Sequence, residues 1–310
     1  MITQLDKIQT ITQAITDNIS QVIIGKEAVI EKLLICLCAK GHVLIEDVPG
    51  IGKTTLVHAL SKSLDLDFKR IQFTVDLMPS DITGFNMYHP KHGEFIFQQG
   101  AIMSNLILAD EINRSSPKTQ SALLEVMSEQ QVSVDGQTYE VPSPFMVLAT
   151  QNAIEYLGTF PLPEAQLDRF LMKIKLGYPN LSEEKQILEL DSQKEIKDKL
   201  TTILSKDDVL WLQEQVNDVE CHDSIKKYIV EILAATREHD KITVGASPRA
   251  GQMLLKASKA KALLNGRNYV VVDDVKSLVI DVLAHRMSAP SDVNLSSELT
   301  NILKAIVAPK

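Results

Sequence analysis

The stretch that decides the fold runs His42-Val43-Leu44-Ile45-Glu46-Asp47-Val48-Pro49-Gly50-Ile51-Gly52-Lys53-Thr54-Thr55. A short apolar run ends in a glycine-rich turn, and a helical pattern follows from Thr54 to Ser63. The reading is strand, phosphate loop, helix. Gly50 and Gly52 can adopt the positive φ angles that turn successive N–H groups inward on a polyphosphate. Lys53 adds a point charge for the β- and γ-phosphates, and the Thr54 hydroxyl is a ligand for Mg²⁺. Pro49, Ile51 and Thr55 complete the loop. The helix behind it aims its positive end at the same anion. The usual motif has glycine five residues before the Gly-Lys pair, where this chain has Asp47. A carboxylate facing phosphate would repel it, so Asp47 is expected to point away.

Working outward, the chain has 310 residues, enough for about two domains. It is 45% apolar with mixed charge, so it can bury a core. No uninterrupted apolar window reaches membrane-spanning length, and Met1 to Ile11 lacks a signal-peptide core. A cytoplasmic protein is expected. Cys36 and Cys38 diverge on a helical pattern and, with Cys221, read as free thiols suited to a reducing compartment. Net charge is −8 with no basic block, which argues against non-specific nucleic-acid binding.

Asn105-Leu106-Ile107-Leu108-Ala109-Asp110-Glu111 is the second informative stretch. Four apolar residues in a row suit a strand buried on both faces of a parallel sheet. Two carboxylates close it at the C-terminal end, where α/β sheets place ligands. Asp110 is suited to hold the Mg²⁺ hydration shell, and Glu111 to polarise a water for attack on a γ-phosphate. Such a pair alone is usually a solvated strand end; some fifty residues after a phosphate loop it gains weight. Phe145 to Thr150 is a further buried strand ending in Gln151-Asn152, amides placed to orient that water. Phe68 to Thr74 and Leu171 to Leu176 complete the strand set.

Elsewhere Ile2 to Ile19 carries a helical stripe. Val22 to Gly25 precedes a helix from Lys26 to Ala39; this apolar turn either flanks a purine ring or is a strand feeding the core. Gly84 to Tyr88 and Gly93 to Phe97 form a small hairpin. Its His89 and His92 read as loop histidines rather than metal ligands. Val132 to Val141 around Asp135-Gly136 is a strong hairpin signal. After Tyr178-Pro179-Asn180 only helices follow: Ser182 to Asp191, Lys206 to Val216, Asp223 to His239, Pro248 to Leu264, Val272 to Ala284 and Ser296 to Ile306. Ser247 and Pro248 are a helix start. Arg249 in its first turn opposes the helix dipole unless an anion lies nearby; the alternative is a plain surface arginine.

Together these stretches, with Glu164-Ala165-Gln166-Leu167-Asp168-Arg169-Phe170 and Gly245-Ala246-Ser247-Pro248-Arg249, resemble the MoxR family of AAA+ ATPases over nearly the whole chain. The resemblance implies an α/β protein with an αβα P-loop core of five parallel strands (residues 1–178), followed by an all-α lid (residues 182–310). It implies inserts at about 84–97 (helix-2 insert) and about 132–141 (pre-sensor-1 hairpin). It assigns Gly50, Gly52, Lys53 and Thr54 to the phosphate loop and Thr54 and Asp110 to Mg²⁺, largely through water. Asp110 and Glu111 become the acidic pair, Asn152 sensor 1, Arg169 an arginine finger acting on a neighbour's nucleotide, and Arg249 sensor 2 from the lid. Ile23, Ile24 and Gly25 match the adenine-side turn. Arg114 recurs in the family pattern, either as a contact in trans or as a core salt bridge.

The implied function is ATP hydrolysis with Mg²⁺ in a ring, expected to be a hexamer, with nucleotide between core and lid. It would drive chaperone-like maturation or activation of client proteins, often ones with a von Willebrand factor A domain, sometimes by metal insertion. The rivals are a DNA-directed motor such as a helicase or clamp-loader subunit, disfavoured by the acidic balance, and a nucleotide-regulated scaffold, disfavoured by the intact acidic pair. No guanine-reading Asn-Lys-x-Asp motif is present.

Overall fold

The computed structural model describes residues 4–48, 50–91, 93–152, 158–189 and 199–309. Two helices, α1 (Gln4–Ser20) and α2 (Glu27–Cys38), precede the first strand, β1 (Val43–Glu46). The phosphate loop leads into α3 (Lys53–Ser63), then β2 (Phe68–Gln72) and α4 (Pro79–Thr83). The hairpin β3 (Gly84–His89) and β4 (Glu94–Gln99) follows, then β5 (Leu106–Asp110) and α5 (Pro117–Glu129). A second hairpin, β6 (Gln131–Val134) and β7 (Gln137–Glu140), precedes β8 (Met146–Gln151), α6 (Glu164–Leu167) and β9 (Met172–Ile174).

β2, β5, β8, β1 and β9 form one sheet in that order, every neighbouring pair parallel. The continuous apolar runs explain the layering. Successive side chains of a strand point to opposite faces, so Val43, Ile45, Leu106, Leu108, Met146 and Leu148 enter one core with α1, α2 and α3. Leu44, Ile107, Ala109, Val147 and Ala149 enter a second core with Leu123, Leu124 and Met127 of α5. Helices thus cover both faces. Because the chain leaves β1 for the far strand β2 and returns through β5 and β8, the carboxyl ends of β1, β5 and β8 converge on one crevice.

Among the described residues that follow, the regular elements are helices: α7 (Leu181–Glu189), α8 (Lys206–Asp218), α9 (Asp223–Arg237), α10 (Pro248–Leu264), α11 (Val272–Lys276), α12 (Val279–Leu283) and α13 (Leu295–Ala305). The apolar face of this tail, including Leu254, Ala257 and Val279, belongs to the same buried cluster as α2 and β1. Tail and sheet therefore share a core. The expected helix from Val272 to Ala284 is divided. Ser277 Oγ donates to the Asp274 carbonyl, an alternative to helical pairing that ends α11. A turn of 3-10 helix, Ala284–Arg286, follows α12. Residues 22–25 form a turn rather than a strand.

The two hairpins touch. Phe97 and Tyr139 stack with centroids 3.9 Å apart, and Asn86 Nδ2 donates to Asp135 Oδ2 at 2.9 Å. Asp135 and Gly136 both have positive φ, the geometry that a two-residue hairpin turn demands.

Candidate functional site

A cavity of about 380 Å³ opens at the converging strand ends, lined by Gly50, Gly52, Lys53, Thr54, Thr55, Arg70, Gln72, Asp110, Glu111 and Asn152. Loop, acidic pair and amide thus meet in one place. Gly50 has φ +85° and Gly52 φ +87°, values that cost an L-residue about 1–2 kcal/mol. A Cβ built on Gly50 meets nothing within 4 Å, and one on Gly52 meets only Ile23 Cδ1, at 4.0 Å. Backbone angle, not space, therefore requires glycine. Lys53 is buried, and its ammonium donates only loosely, at 3.4 Å, to the Asp47 carbonyl. It has no carboxylate partner among the described residues. A buried cation left without its counter-charge, beside open main-chain space at the head of a helix, fits a polyphosphate.

Asp47 points away from that space, as expected. Its Oδ2 accepts from the Leu176 and Gly177 amides at 2.6 and 2.8 Å, and its Oδ1 from its neighbour Val48 at 3.0 Å.

Besides Asn152 and Arg114, the acids are held by three residues the sequence does not single out: Thr150, Arg70 and Gln72. Thr150, fully buried, donates to Asp110 Oδ1 at 2.6 Å and accepts from the Glu111 amide at 2.9 Å. Glu111 sits at φ +56°. Its Oε2 accepts from Gln72 at 3.2 Å and pairs with Arg114 at 2.9 Å, while its Oε1 accepts from Asn152 Nδ2 at 3.3 Å. Arg70 pairs with Asp110 Oδ2 at 2.6 Å. The signal for Arg70 and Gln72 was available: two apart on β2, they share a face. Which strand that face meets depends on the crossover. Arg114 is a largely exposed partner of Glu111 within the chain, not a core salt bridge.

Other expected residues lie elsewhere. Ile23 touches the space over Gly52, but neither it, Ile24 nor Gly25 lines the cavity. Ile51 packs on the main core. Pro49 lies outside the described residues, as does His92. Among the described residues no group of three or more His, Cys, Asp or Glu is arranged to hold a metal, and no helix is long and apolar enough to cross a membrane.

Arg169 and Arg249 are brought together, but not here. They line a second cavity of about 220 Å³ with Lys40, His42, Met127, Ser128 and Lys256. It lies beside Gly41 and Leu171, ahead of β1 and β9, at the opposite end of the sheet. Arg169 donates to the Leu124 carbonyl at 2.8 Å and to the Ser128 hydroxyl. Arg249 lies 3.4 Å from Asp168, which also pairs with the buried Arg286 at 2.9 Å. The anion offsetting Arg249 is therefore a carboxylate, and its reach is not toward the phosphate-loop cavity of its own chain. His42, at the floor, accepts from Val147 N through Nδ1 and meets the Met127 carbonyl through Nε2. Burial pushes its pKa down to about 4.

Residues 42–172 match the model of the ATPase family associated with various cellular activities, and residues 234–302 match the AAA lid domain. The chain is 40% identical to Chaperone MoxR1 of Mycobacterium tuberculosis, over 98% of this chain and 84% of the relative. It is 52% identical to the uncharacterized protein YeaC of Bacillus subtilis, over 87% of this chain and 85% of the relative. A crystal structure of a candidate ATPase from Cytophaga hutchinsonii superposes with a TM-score of 0.91 at 40% identity, covering 98% of this chain and 96% of the other.

Proposed function

Because the chain belongs to the MoxR family of AAA+ ATPases, we propose that its ATPase cycle runs in a closed ring and drives the maturation or activation of client proteins. The observation that supports the ATPase cycle is the convergence of Gly50, Gly52–Thr55, Asp110, Glu111 and Asn152 on one cavity; the ring is inferred from Arg169 lying at the opposite end of the sheet. In this reading residues 1–178 form the ATPase core and residues 182–310 the lid, with the hairpin β3–β4 as helix-2 insert and β6–β7 as pre-sensor-1 hairpin. Clients with a von Willebrand factor A domain, and metal insertion into them, are the family-based expectation. The MoxR1 relative is named a chaperone. No observation favours a DNA-directed motor in a chain of net charge −8.

The residue roles follow from chemistry. The amides of Gly50 to Thr55 and the Lys53 ammonium bind the triphosphate. Ile23, Ile24 and Gly25 lie on the adenine side. Thr54 and Asp110 would hold Mg²⁺, which supplies charge neutralisation on the phosphoryl oxygens. Glu111 orients and deprotonates the attacking water, and Asn152 fixes the rotamer of Glu111. Arg169 serves the nucleotide of the adjacent copy. Arg249, sharing a cavity with Arg169, serves that same neighbour rather than coupling its own lid to its own phosphate.

The test uses mixed assemblies. Lys53→Ala abolishes nucleotide binding in its own subunit and Arg169→Ala disables the finger, a loss of roughly 10³–10⁵ in rate. Mixing the two restores part of the activity, because each supplies what the other lacks. Absence of rescue in confirmed mixed rings refutes the shared site. Glu111→Gln binds ATP and traps the client for identification; normal turnover by that variant removes Glu111 from the mechanism.

A further inference from the structure

We propose that Asp47 is a positioning residue: it ties the phosphate loop to Leu176–Asn180 and thereby sets the base-side wall of the nucleotide site. The proposal rests on the nucleotide reading above, with Ile23–Gly25 on the adenine side.

Asp47 stands where the common loop has a glycine. A glycine there would offer no side-chain acceptor. The carboxylate is buried, and a buried charge needs full compensation. It finds this in three main-chain amides: Leu176, Gly177 and its neighbour Val48. Charge-assisted bonds of 2.6 and 2.8 Å are among the stronger contacts in a protein. Their donors lie just past β9, where the chain leaves the sheet.

The main chain of Asp47 faces the chemistry. Its amide donates to the Gln151 carbonyl at 3.2 Å, extending the β1–β8 ladder one residue past the strand. The next residue is Asn152, which holds Glu111. The Asp47 carbonyl accepts from Lys53. One residue thus contacts the phosphate-binding lysine, the strand end bearing the Glu111 partner, and the segment leaving the sheet.

That segment leads to the base side. Gly177 makes the turn at φ +68°. Lys26, next to Gly25, donates to the Tyr178 carbonyl at 3.2 Å. Asn180 Oδ1 accepts from the Ser182 and Glu183 amides and starts α7. The Glu183 carboxyl then covers Gly25: a Cβ built on Gly25 would lie 2.2 Å from it. The path from Asp47 to the adenine-side turn is continuous, each link a hydrogen bond or a close contact.

The experiment compares wild type with Asp47→Gly, the residue of the common motif, and Asp47→Asn, which keeps an acceptor without the charge. Amide hydrogen exchange is read at Leu176 and Gly177, with and without ATP. Affinities for ATP and for inorganic tripolyphosphate are measured by displacement of a fluorescent ATP analogue. Asp47→Gly speeds exchange at both amides by about tenfold or more, the scale of a lost charge-assisted bond, and abolishes the slowing by ATP expected in wild type. It weakens ATP severalfold while tripolyphosphate, which has no base, binds as before; Asp47→Asn falls between. Unchanged exchange at the two amides overturns the proposal, as does equal weakening of ATP and tripolyphosphate in both variants. A wild-type chain that binds neither probe sinks the nucleotide reading, and the proposal with it. If Asp47→Gly fails to fold, Asp47→Asn decides by the same two readouts.

Discussion

Replacing Thr150 with valine tests whether the acidic pair is preorganised by the strand beside it. The substitution is nearly isosteric, so packing on that face of β8 is preserved; what goes is one hydroxyl at a site fully shielded from water. Two hydrogen bonds go with it, the donation to Asp110 Oδ1 at 2.6 Å and the acceptance from the Glu111 amide at 2.9 Å. A bond to a charged group contributes about 1.5–3 kcal/mol and a neutral one about 0.5–1.5. Part of the first is recovered, because Asp110 keeps Arg70. The expected loss is about 2–3 kcal/mol of unfolding free energy, read as a lowered urea midpoint at constant slope. The catalytic effect exceeds that share. Glu111 holds a positive φ, and its freed amide removes a main restraint on that angle. Displacement of a reacting group by about 1 Å costs on the order of 10² in rate. Steady-state ATPase assays therefore show kcat reduced about a hundredfold, with ATP affinity nearly unchanged because Thr150 does not line the cavity. Thr150→Ser, which retains the hydroxyl, recovers most of the rate. Equal loss in the serine and valine variants, or wild-type turnover by the valine variant, refutes the reasoning.

Three further outcomes are expected. Burial pushes His42 to a pKa of about 4 and His285 to about 3; both are neutral when folded and bind protons more readily unfolded, so stability falls as pH drops below about 6.5. The slope approaches about 1.4 kcal/mol per pH unit per histidine, and urea titrations between pH 6.5 and 5 check it, with His42→Gln expected to remove about half. Asp168→Ala leaves the buried Arg286 without its carboxylate and costs about 3 kcal/mol, measured by the same titrations, while ATP binding by the chain's own cavity is retained. Gly52→Ala forces an L-residue to φ +87°, costing about 1–2 kcal/mol and weakening ATP about tenfold by equilibrium binding.

Much of this architecture is legible in the sequence because it rests on local demands. Four-residue apolar runs ending in acid or amide can be satisfied in few ways except as buried parallel strands, and two glycines flanking Ile51 announce positive φ. Even the outward turn of Asp47 follows from charge repulsion. What the residues do not declare is pairing across the crossover. Thr150 reads as the end of a strand until β5 lies beside β8 and its hydroxyl meets Asp110. Arg249 reads as a cation in need of an anion, and electrostatics does not choose between a phosphate and Asp168, eighty-one residues earlier. The division of α11 from α12 is hidden because apolar spacing runs through Ser277 unbroken, while the Ser277 bond to the Asp274 carbonyl and the tighter Leu278-to-Val275 main-chain bond mark the break.

The separation of the two cavities bears on why a single copy would be incomplete. Gly50–Thr55 and the acidic pair sit at the carboxyl ends of the strands, Arg169 and Arg249 beyond their amino ends. The four residues of β1 span about 13 Å, and Arg169 is further tethered to the end of α5. For Arg169 to act as a finger, its target must belong to another copy. Cavity against arginine face is then a head-to-tail contact between unlike surfaces, which either closes into a ring or continues as a filament. The shared core of tail and sheet makes a large change of lid angle within one chain costly, since α10 and α12 would have to leave α2 and β9. In the ring we propose, hydrolysis is therefore felt first at the joint between neighbours. The two hairpins are clasped to each other by Phe97–Tyr139 and Asn86–Asp135, so a displacement of one in that ring would be passed to the other.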